Sequence, residues 1–321
     1  MQESRALQYI LGASLFMIAL FAVSSFVMIN SQAGVSTASV SINNIAPVVT
    51  SRFISNNANG GNDGLNAAAN FDLIAGTTRT VHVNGIISDN NGEADIAAVK
   101  VALYKTSTAG AENCVADSND CYVNAACAID AAVGTGLQVG YSCAFPLEFF
   151  TDSTVTGGVS PADTWHLAVT AIDIASLATL DATYAKEMPL LTALTIPGAI
   201  SYGALDLNTS TTDLNNTFIT MTQQGNDVAD VEVSMTSASV PCLTGGISTG
   251  SIPRGFLSWA LTDTDVAGST PLSNIVADTN LNVGYRTAGV VTKDLYWNIV
   301  VPVSGVGGTC SGNVTISTIA A

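Results

Sequence analysis

Short runs in which apolar and polar residues alternate recur along most of the chain. One run contains Val81 and Val83, two residues apart, and a later run contains Trp165, Leu167 and Val169. A period of two is that of a β-strand with one buried face. Because turn residues separate the runs, they are typical of an antiparallel β-sandwich. The pattern therefore predicts a protein made mainly of β-strands.

A second set of alternating runs begins after Pro197 and Gly198, a dipeptide that favours a turn or a linker. In this set Leu295, Trp297 and Ile299 share one face. The break between the two sets indicates two β-sandwich domains. The predicted divisions of the chain are an N-terminal helix with its connector at 1–45 and sandwich domains at 46–196 and 197–321.

An uninterrupted apolar run lies near the start of the chain. The twenty residues Ile10–Ile29 carry no charge, and as an α-helix they would be about 30 Å long, the thickness of a bilayer core. The run is longer than the apolar region of most secretory signals, and its leader sets Arg5 against Glu3 instead of carrying net positive charge. We therefore predict a retained helix. The alternative is a signal cleaved after Ala33.

The composition supports the same fold class. Thr, Ser, Asn and Asp carry most of the polarity, and with 28 Gly and many Val and Ile they favour strands joined by tight turns. The predicted fold class is mainly β, with one long N-terminal hydrophobic α-helix followed by two antiparallel Ig-like or jelly-roll-like β-sandwich domains.

The charge balance and the motifs limit the functions that the chain can have. The net charge of −16 argues against nucleic acid as a partner, because phosphates are attracted by basic surfaces. Gly246, Ser248 and Gly250 match the Gly-x-Ser-x-Gly motif of hydrolases, but His82 and His166, the only histidines, fall in the other predicted domain. We therefore predict that the protein is not an enzyme.

Each predicted domain contains an even number of the six cysteines, with four in the first and two in the second. They are Cys114, Cys121, Cys127, Cys143, Cys242 and Cys310. An even number in each domain indicates disulfides and an exported chain. We favour Cys114 with Cys121 and Cys127 with Cys143, because short loops close easily, and Cys242 with Cys310. Three triplets that could accept N-linked glycans begin at Asn208, Asn215 and Asn313.

The stretch 88–95, with the sequence SDNNGEAD, has oxygen-bearing side chains at every second position. These residues are Asp89, Asn91, Glu93 and Asp95. Hard oxygen ligands that close around a Gly turn are what Ca²⁺ requires. The stretch resembles the acidic turns of cadherin-like sandwiches, and this resemblance implies a further ligand from a later strand, Asp173. Calcium is thus the one candidate cofactor, and a solvated turn is the alternative.

The layout of residues 1–45, a short polar leader and a long apolar run before β-sandwich domains, resembles that of type IV pilins and of archaeal pilus subunits. The resemblance implies a structural subunit of an extracellular filament, inserted in the membrane before assembly and joined to copies of itself through the helix. Bacterial pilins have Glu at the fifth position, whereas this chain has Arg5. The small residues that would allow close helix packing are Gly12, Ala13, Ala19 and Ala22.

Two other functions remain open from the sequence. One is a membrane-anchored cell-surface adhesin or surface-layer component, which would have the same layout. The other is a fibre joined by donor-strand exchange, in which cleavage after Ala33 would free the alternating segment 34–42 to add a strand to the next subunit. Both place the β-domains outside the cell.

Overall fold

The computed structural model describes residues 39–58, 65, 68 and 70–321. Residues 44–321 form one compact unit, and the preceding residues belong to a separate unit, 1–43. The unit 44–321 contains two groups of β-sheets, and each group surrounds its own hydrophobic core.

The first group has eight strands with antiparallel pairing. They are β1 (Val48–Ser55), β2 (Arg79–Ser88), β3 (Ile96–Lys105), β4 (Cys121–Asn124), β5 (Ala128–Asp130), β6 (Gln138–Leu147), β7 (Trp165–Asp173) and β8 (Ala178–Lys186). They form two four-stranded sheets, in the orders β1-β2-β6-β5 and β4-β3-β7-β8. One cluster of buried apolar side chains draws on both sheets, so the sheets pack face to face. We call this group the first sandwich.

The core of the first sandwich follows the alternation of the sequence. Val81 and Val83 on β2 and Trp165 and Leu167 on β7 are fully buried. Burying a side chain such as Val or Leu contributes about 1.5–3 kcal/mol. The indole Nε1 of Trp165 donates a hydrogen bond of 2.9 Å to the backbone oxygen of Asp152, so its one polar atom is satisfied inside the core.

The second group has eleven strands. They are β9 (Leu194–Thr195), β10 (Thr217–Gln223), β11 (Ala229–Ser234), β12 (Ser239–Thr244), β13 (Ile247–Pro253), β14 (Leu257–Ala260), β15 (Thr270–Pro271), β16 (Ala277–Asp278), β17 (Thr292–Ile299), β18 (Thr309–Cys310) and β19 (Thr315–Ala320). Their sheets have the orders β15-β14-β17-β10-β9, β16-β11-β19 and β13-β12-β18. Buried residues from all three sheets, among them Trp297 and Met221, form the second core. We call this group the second sandwich.

The predicted fold class is wrong in its helical component. The described part of the chain is mainly β and contains no helix of seven residues or more. The helical elements with described bounds are 3₁₀ helices: η1 (Glu93–Asp95), η2 (Ala111–Asn113), η3 (Arg254–Phe256) and η4 (Val266–Gly268). None of the described helices has the length and apolar character needed to cross a membrane. The described part forms strands instead of long helices because its apolar residues alternate with a period of two and turn residues are frequent.

The segment for which the helix was predicted, Ile10–Ile29, lies outside the described residues, and so does Ala33. The same holds for the predicted helix-packing residues, which are Gly12, Ala13, Ala19 and Ala22. The proposed division into domains at 196 and 197 stays a prediction. Strand β9 precedes that boundary but pairs with β10 of the second sandwich.

Asn226 links the two sandwiches. Its side chain is 1% exposed, and its Nδ2 donates to the backbone oxygens of Thr151, at 2.8 Å, and Pro189, at 2.9 Å. Its Oδ1 accepts a hydrogen bond of 2.7 Å from the backbone nitrogen of Leu191. Thr151 follows β6 of the first sandwich, whereas Asn226 lies between β10 and β11 of the second. One buried amide therefore fixes the connection between the sandwiches.

Replacing Asn226 by alanine should destabilise this connection. The change leaves three backbone groups without their partner, and an unsatisfied buried polar group costs about 1–3 kcal/mol. We expect the free energy of unfolding, measured by chemical denaturation, to fall by about 3 kcal/mol or more. The exposed Asn274→Ala is the control and should change it by less than about 0.5 kcal/mol. Equal stabilities of the two variants would contradict this role of Asn226.

The six cysteines, all of which the structure describes, form three disulfides. They join Cys114 to Cys121, Cys127 to Cys143 and Cys242 to Cys310, which is the pairing favoured from the sequence. The first two lie within the first sandwich. The third joins β12 to β18 of the second sandwich, where the two cysteines are register partners.

The disulfides should differ in their contribution to stability because the loops that they close differ in length. A cross-link restricts the unfolded chain more when its loop is longer. We expect Cys242→Ala with Cys310→Ala, a separation of 68 residues, to cost about 4 kcal/mol, and Cys114→Ala with Cys121→Ala, a separation of 7, to cost about 2 kcal/mol. Chemical denaturation of both variants measures the two losses, and a larger loss for the short loop would contradict the expectation.

Candidate metal centre

The predicted acidic turn lies at one end of the first sandwich. Asp89 follows directly after β2, and the turn then passes through Gly92 and η1 to reach β3. Gly92 has a φ of 118°, a conformation that side chains disfavour and glycine adopts freely. Asp173 is the last residue of β7, and it is the register partner of Ile96, which follows Asp95. Strand register therefore brings together carboxylates that are far apart in the sequence.

Three carboxylates form a cluster, which we call the acidic cluster: Asp89, Asp95 and Asp173. Each offers an oxygen atom, and these oxygens all lie within 4.8 Å of one another. Asp89 and Asp173 are each only 1% exposed, and Asp95 is half-buried. Calcium binds protein oxygens at about 2.3–2.6 Å, so two ligands of one ion are at most about 5 Å apart. The spacing of the cluster fits a single Ca²⁺.

Some oxygens of the acidic cluster have hydrogen-bond donors and others do not. Asp89 Oδ1 accepts from the backbone nitrogen of Asn91 at 2.8 Å, and Asp173 accepts from the backbone nitrogen of Leu177 at 2.8 Å. Asp89 Oδ2 and Asp95 Oδ2 are buried and accept no hydrogen bond. A buried carboxylate oxygen without a partner is costly. A cation bound between the carboxylates would satisfy these two atoms.

Within the described part of the chain, no basic side chain forms an ion pair with the acidic cluster. No ion pair joins a described Lys or Arg to any of its carboxylates. The pKa of Asp95 is raised above its ordinary value, first because burial disfavours the charged form and then because of the negative charges of Asp89 and Asp173. The electrostatic repulsion within the cluster is what a divalent cation would relieve.

The other predicted ligands take different places. The side chain of Asn91 is exposed, and its Oδ1 accepts a hydrogen bond of 2.9 Å from the backbone nitrogen of Ile45. Glu93 is half-buried and its carboxylate is not part of the acidic cluster. One residue at the cluster was missed: Asn44, whose Nδ2 donates to Asp173 Oδ2 at 2.9 Å. No local pattern marks Asn44, because its contact is with a residue 129 positions away.

The hydrolase-like motif does not have the geometry that its chemistry needs. Ser248 lies within β13, which pairs with β12 in a hairpin, instead of in a turn between a strand and a helix. His82 on β2 and His166 on β7 both belong to the first sandwich. The three residues that begin the glycosylation triplets are exposed, and their modification stays a prediction. They are Asn208, Asn215 and Asn313.

No protein family model matches the sequence, and no curated protein matches it. One similar solved structure is the C-terminal domain of the AgI/II polypeptide BspA of Streptococcus agalactiae, with 10% identity and a TM-score of 0.22, where the match covers 83% of this chain and 97% of that one. Another is the CupB6 tip adhesin from Pseudomonas aeruginosa, with 9% identity and a TM-score of 0.27, covering 85% and 96%. Neither likeness is close enough to assign a function.

Proposed function

We propose that the chain is a cell-surface protein of the adhesin or surface-layer type whose unit 44–321 lies outside the cell, and that its first sandwich binds Ca²⁺ at the acidic cluster. This is the second of the functions that the sequence leaves open. The first, a filament assembled through an N-terminal helix, depends on residues outside the described part of the chain.

The disulfides are the observation that carries the proposal of a surface location. All six cysteines are joined in pairs, and disulfides persist in oxidising surroundings such as the cell exterior but are rare in the cytosol. The bonds lie in both sandwiches, so the whole of the unit 44–321 suits an oxidising environment. The net charge of −16 is compatible with a protein displayed in water and disfavours binding to nucleic acid.

The architecture supports a binding role. The two sandwiches are joined through the buried amide of Asn226, which gives a stiff support for the loops at their ends. Loops on a rigid scaffold are where binding residues are commonly found.

Three observations support calcium as the ion that the acidic cluster binds. The spacing of the carboxylates fits one ion, two of their buried oxygens have no donor, and no Lys or Arg among the described residues pairs with them. All the candidate ligands are carboxylate oxygens, and they come from a turn, a short 3₁₀ helix and the end of a strand. Such a set suits Ca²⁺ better than Mg²⁺, because Mg²⁺ demands near-ideal octahedral geometry. Extracellular calcium modules have Kd values of about 10⁻⁴–10⁻³ M, and we expect the same range here.

The surface location can be tested on intact cells. Antibodies against the chain should label cells that have not been permeabilised, and protease added outside should remove the label. Deleting the gene should reduce attachment to surfaces or to other cells. Label that appears only after permeabilisation would contradict a surface location, and unchanged attachment would contradict the adhesin role.

The effect of Asp89→Asn on thermal stability should change sign when calcium is added. With a chelator present, Asp89→Asn should be at least as stable to heat as the parent, because the change removes repulsion. With free calcium at about 100 times Kd, the parent should gain about 2.7 kcal/mol and become the more stable of the two. The exposed Asp206→Asn in the second sandwich should respond to calcium as the parent does. Parent melting curves that are the same with calcium and with chelator would contradict the site.

A further inference from the structure

We infer that the cation bound at the acidic cluster acts as a clasp, which holds the start of the first sandwich closed by fixing Asn44 and Ile45 and, through them, strand β1. The inference rests on the proposed calcium site and adds a mechanical and regulatory role to it. The observations concern the contacts of residues 44–45, the position of β1 in its sheet and the charges of the cluster.

Residues 44 and 45 are held by the two sides of the cluster. Asn44 Nδ2 donates to Asp173 Oδ2 at the end of β7, and the backbone nitrogen of Ile45 donates to Asn91 Oδ1 in the acidic turn. Both hydrogen bonds are 2.9 Å long. Asn91 is itself tied to the cluster, because its backbone nitrogen donates to Asp89 Oδ1 at 2.8 Å. The two anchors of this segment thus belong to different elements, the turn after β2 and the end of β7, which meet at the cluster.

Strand β1 follows residues 44–45 in the chain and lies at an edge of its sheet. It is an edge strand that pairs with β2 alone, and its register shifts between Val49 and Ser51. Its first residue, Val48, is 53% exposed and pairs with Ser88, the residue before Asp89. The ladder between β1 and β2 therefore begins next to the acidic cluster. Fixing the chain at residues 44–45 would prevent the ladder from opening at that end.

The cluster should hold this segment well only when a cation is bound. Asp89 is 1% exposed and its Oδ2 has no hydrogen-bond partner. This buried oxygen is therefore available to coordinate a cation. Without the cation, repulsion between Asp173 and the carboxylates of the turn pushes the two anchors apart. Both hydrogen bonds of residues 44–45 are then weakened together. With the cation, one ion joins the turn to the end of β7 and fixes both anchors.

The clasp lies where a pulling force on the preceding chain would enter the first sandwich. Tension applied to the chain before Asn44 meets the two anchors, Asp173 and Asn91, before it reaches β1. Beyond these anchors, the ladder of β1 with β2 begins at the pair of Val48 with Ser88. Calcium in the surroundings would thus set how firmly the first sandwich is closed on that side.

Hydrogen exchange of the full-length chain, read by mass spectrometry with and without calcium, tests the clasp. Calcium should slow exchange of the amides in residues 44–55 by about 10-fold or more, because local opening becomes less favourable. Peptides from β17 in the second sandwich serve as the internal control and should be unchanged. Calorimetric titration with calcium, done in parallel, measures binding independently of exchange.

Two variants each remove one anchor of residues 44–45 and keep all three carboxylate ligands. Asn91→Ala removes the acceptor for Ile45 but no carboxylate, so it should bind calcium within about threefold of the parent and lose most of the slowing of residues 44–55. Asn44→Ala removes the other anchor and should act in the same direction. Circular dichroism checks that both variants are folded.

The outcomes distinguish the clasp from the site. Calcium binding without slower exchange of residues 44–55 would overturn the clasp and leave the proposed site intact. Failure of the parent to bind calcium would overturn both. Slowing that persists undiminished in Asn91→Ala and in Asn44→Ala would also overturn the clasp, because the protection would then not pass through these anchors.

Discussion

Repulsion between three carboxylates at one end of the first sandwich is the constraint on which this account depends. The register of β3 with β7 and the turn after β2 place Asp89, Asp95 and Asp173 together, and two of their buried oxygens have no donor. A fold that gathers like charges in a poorly solvated place is destabilised unless something compensates. Calcium is the simplest compensation that the oxygen ligands allow. The proposed calcium-dependent stability and closure of the first sandwich follow from it.

The rest of the molecule provides stiffness that does not depend on a cation. Each sandwich has a core with a fully buried tryptophan, Trp165 in the first and Trp297 in the second, and each is cross-linked by disulfides. Asn226 connects them through hydrogen bonds that replace those of water. The chain therefore combines parts whose stability is independent of calcium with one end whose stability is proposed to vary with calcium. Such a division suits a protein that works outside the cell, where calcium is available.

Local patterns in the sequence predict local features of this structure well. The alternation around Val81 and around Trp165 gives strands with the expected buried faces, and the spacing of the cysteines gives the observed pairs. Contacts between residues that are distant in the sequence could not be predicted in this way. Asn44 could not be found from the sequence, because its role depends on Asp173, and Glu93 fits the spacing of the turn but stays outside the cluster. The short pairing of β9 with β10 is likewise set by tertiary register, which no window of sequence contains.

The central claim is that one Ca²⁺ is held by the three carboxylates. Anomalous diffraction from crystals of the full chain grown with calcium tests it most directly. The account predicts a single strong peak between Asp89, Asp95 and Asp173, with carboxylate oxygens at about 2.3–2.6 Å from it. Density without a peak at this place, with the carboxylates turned toward solvent, would contradict the account.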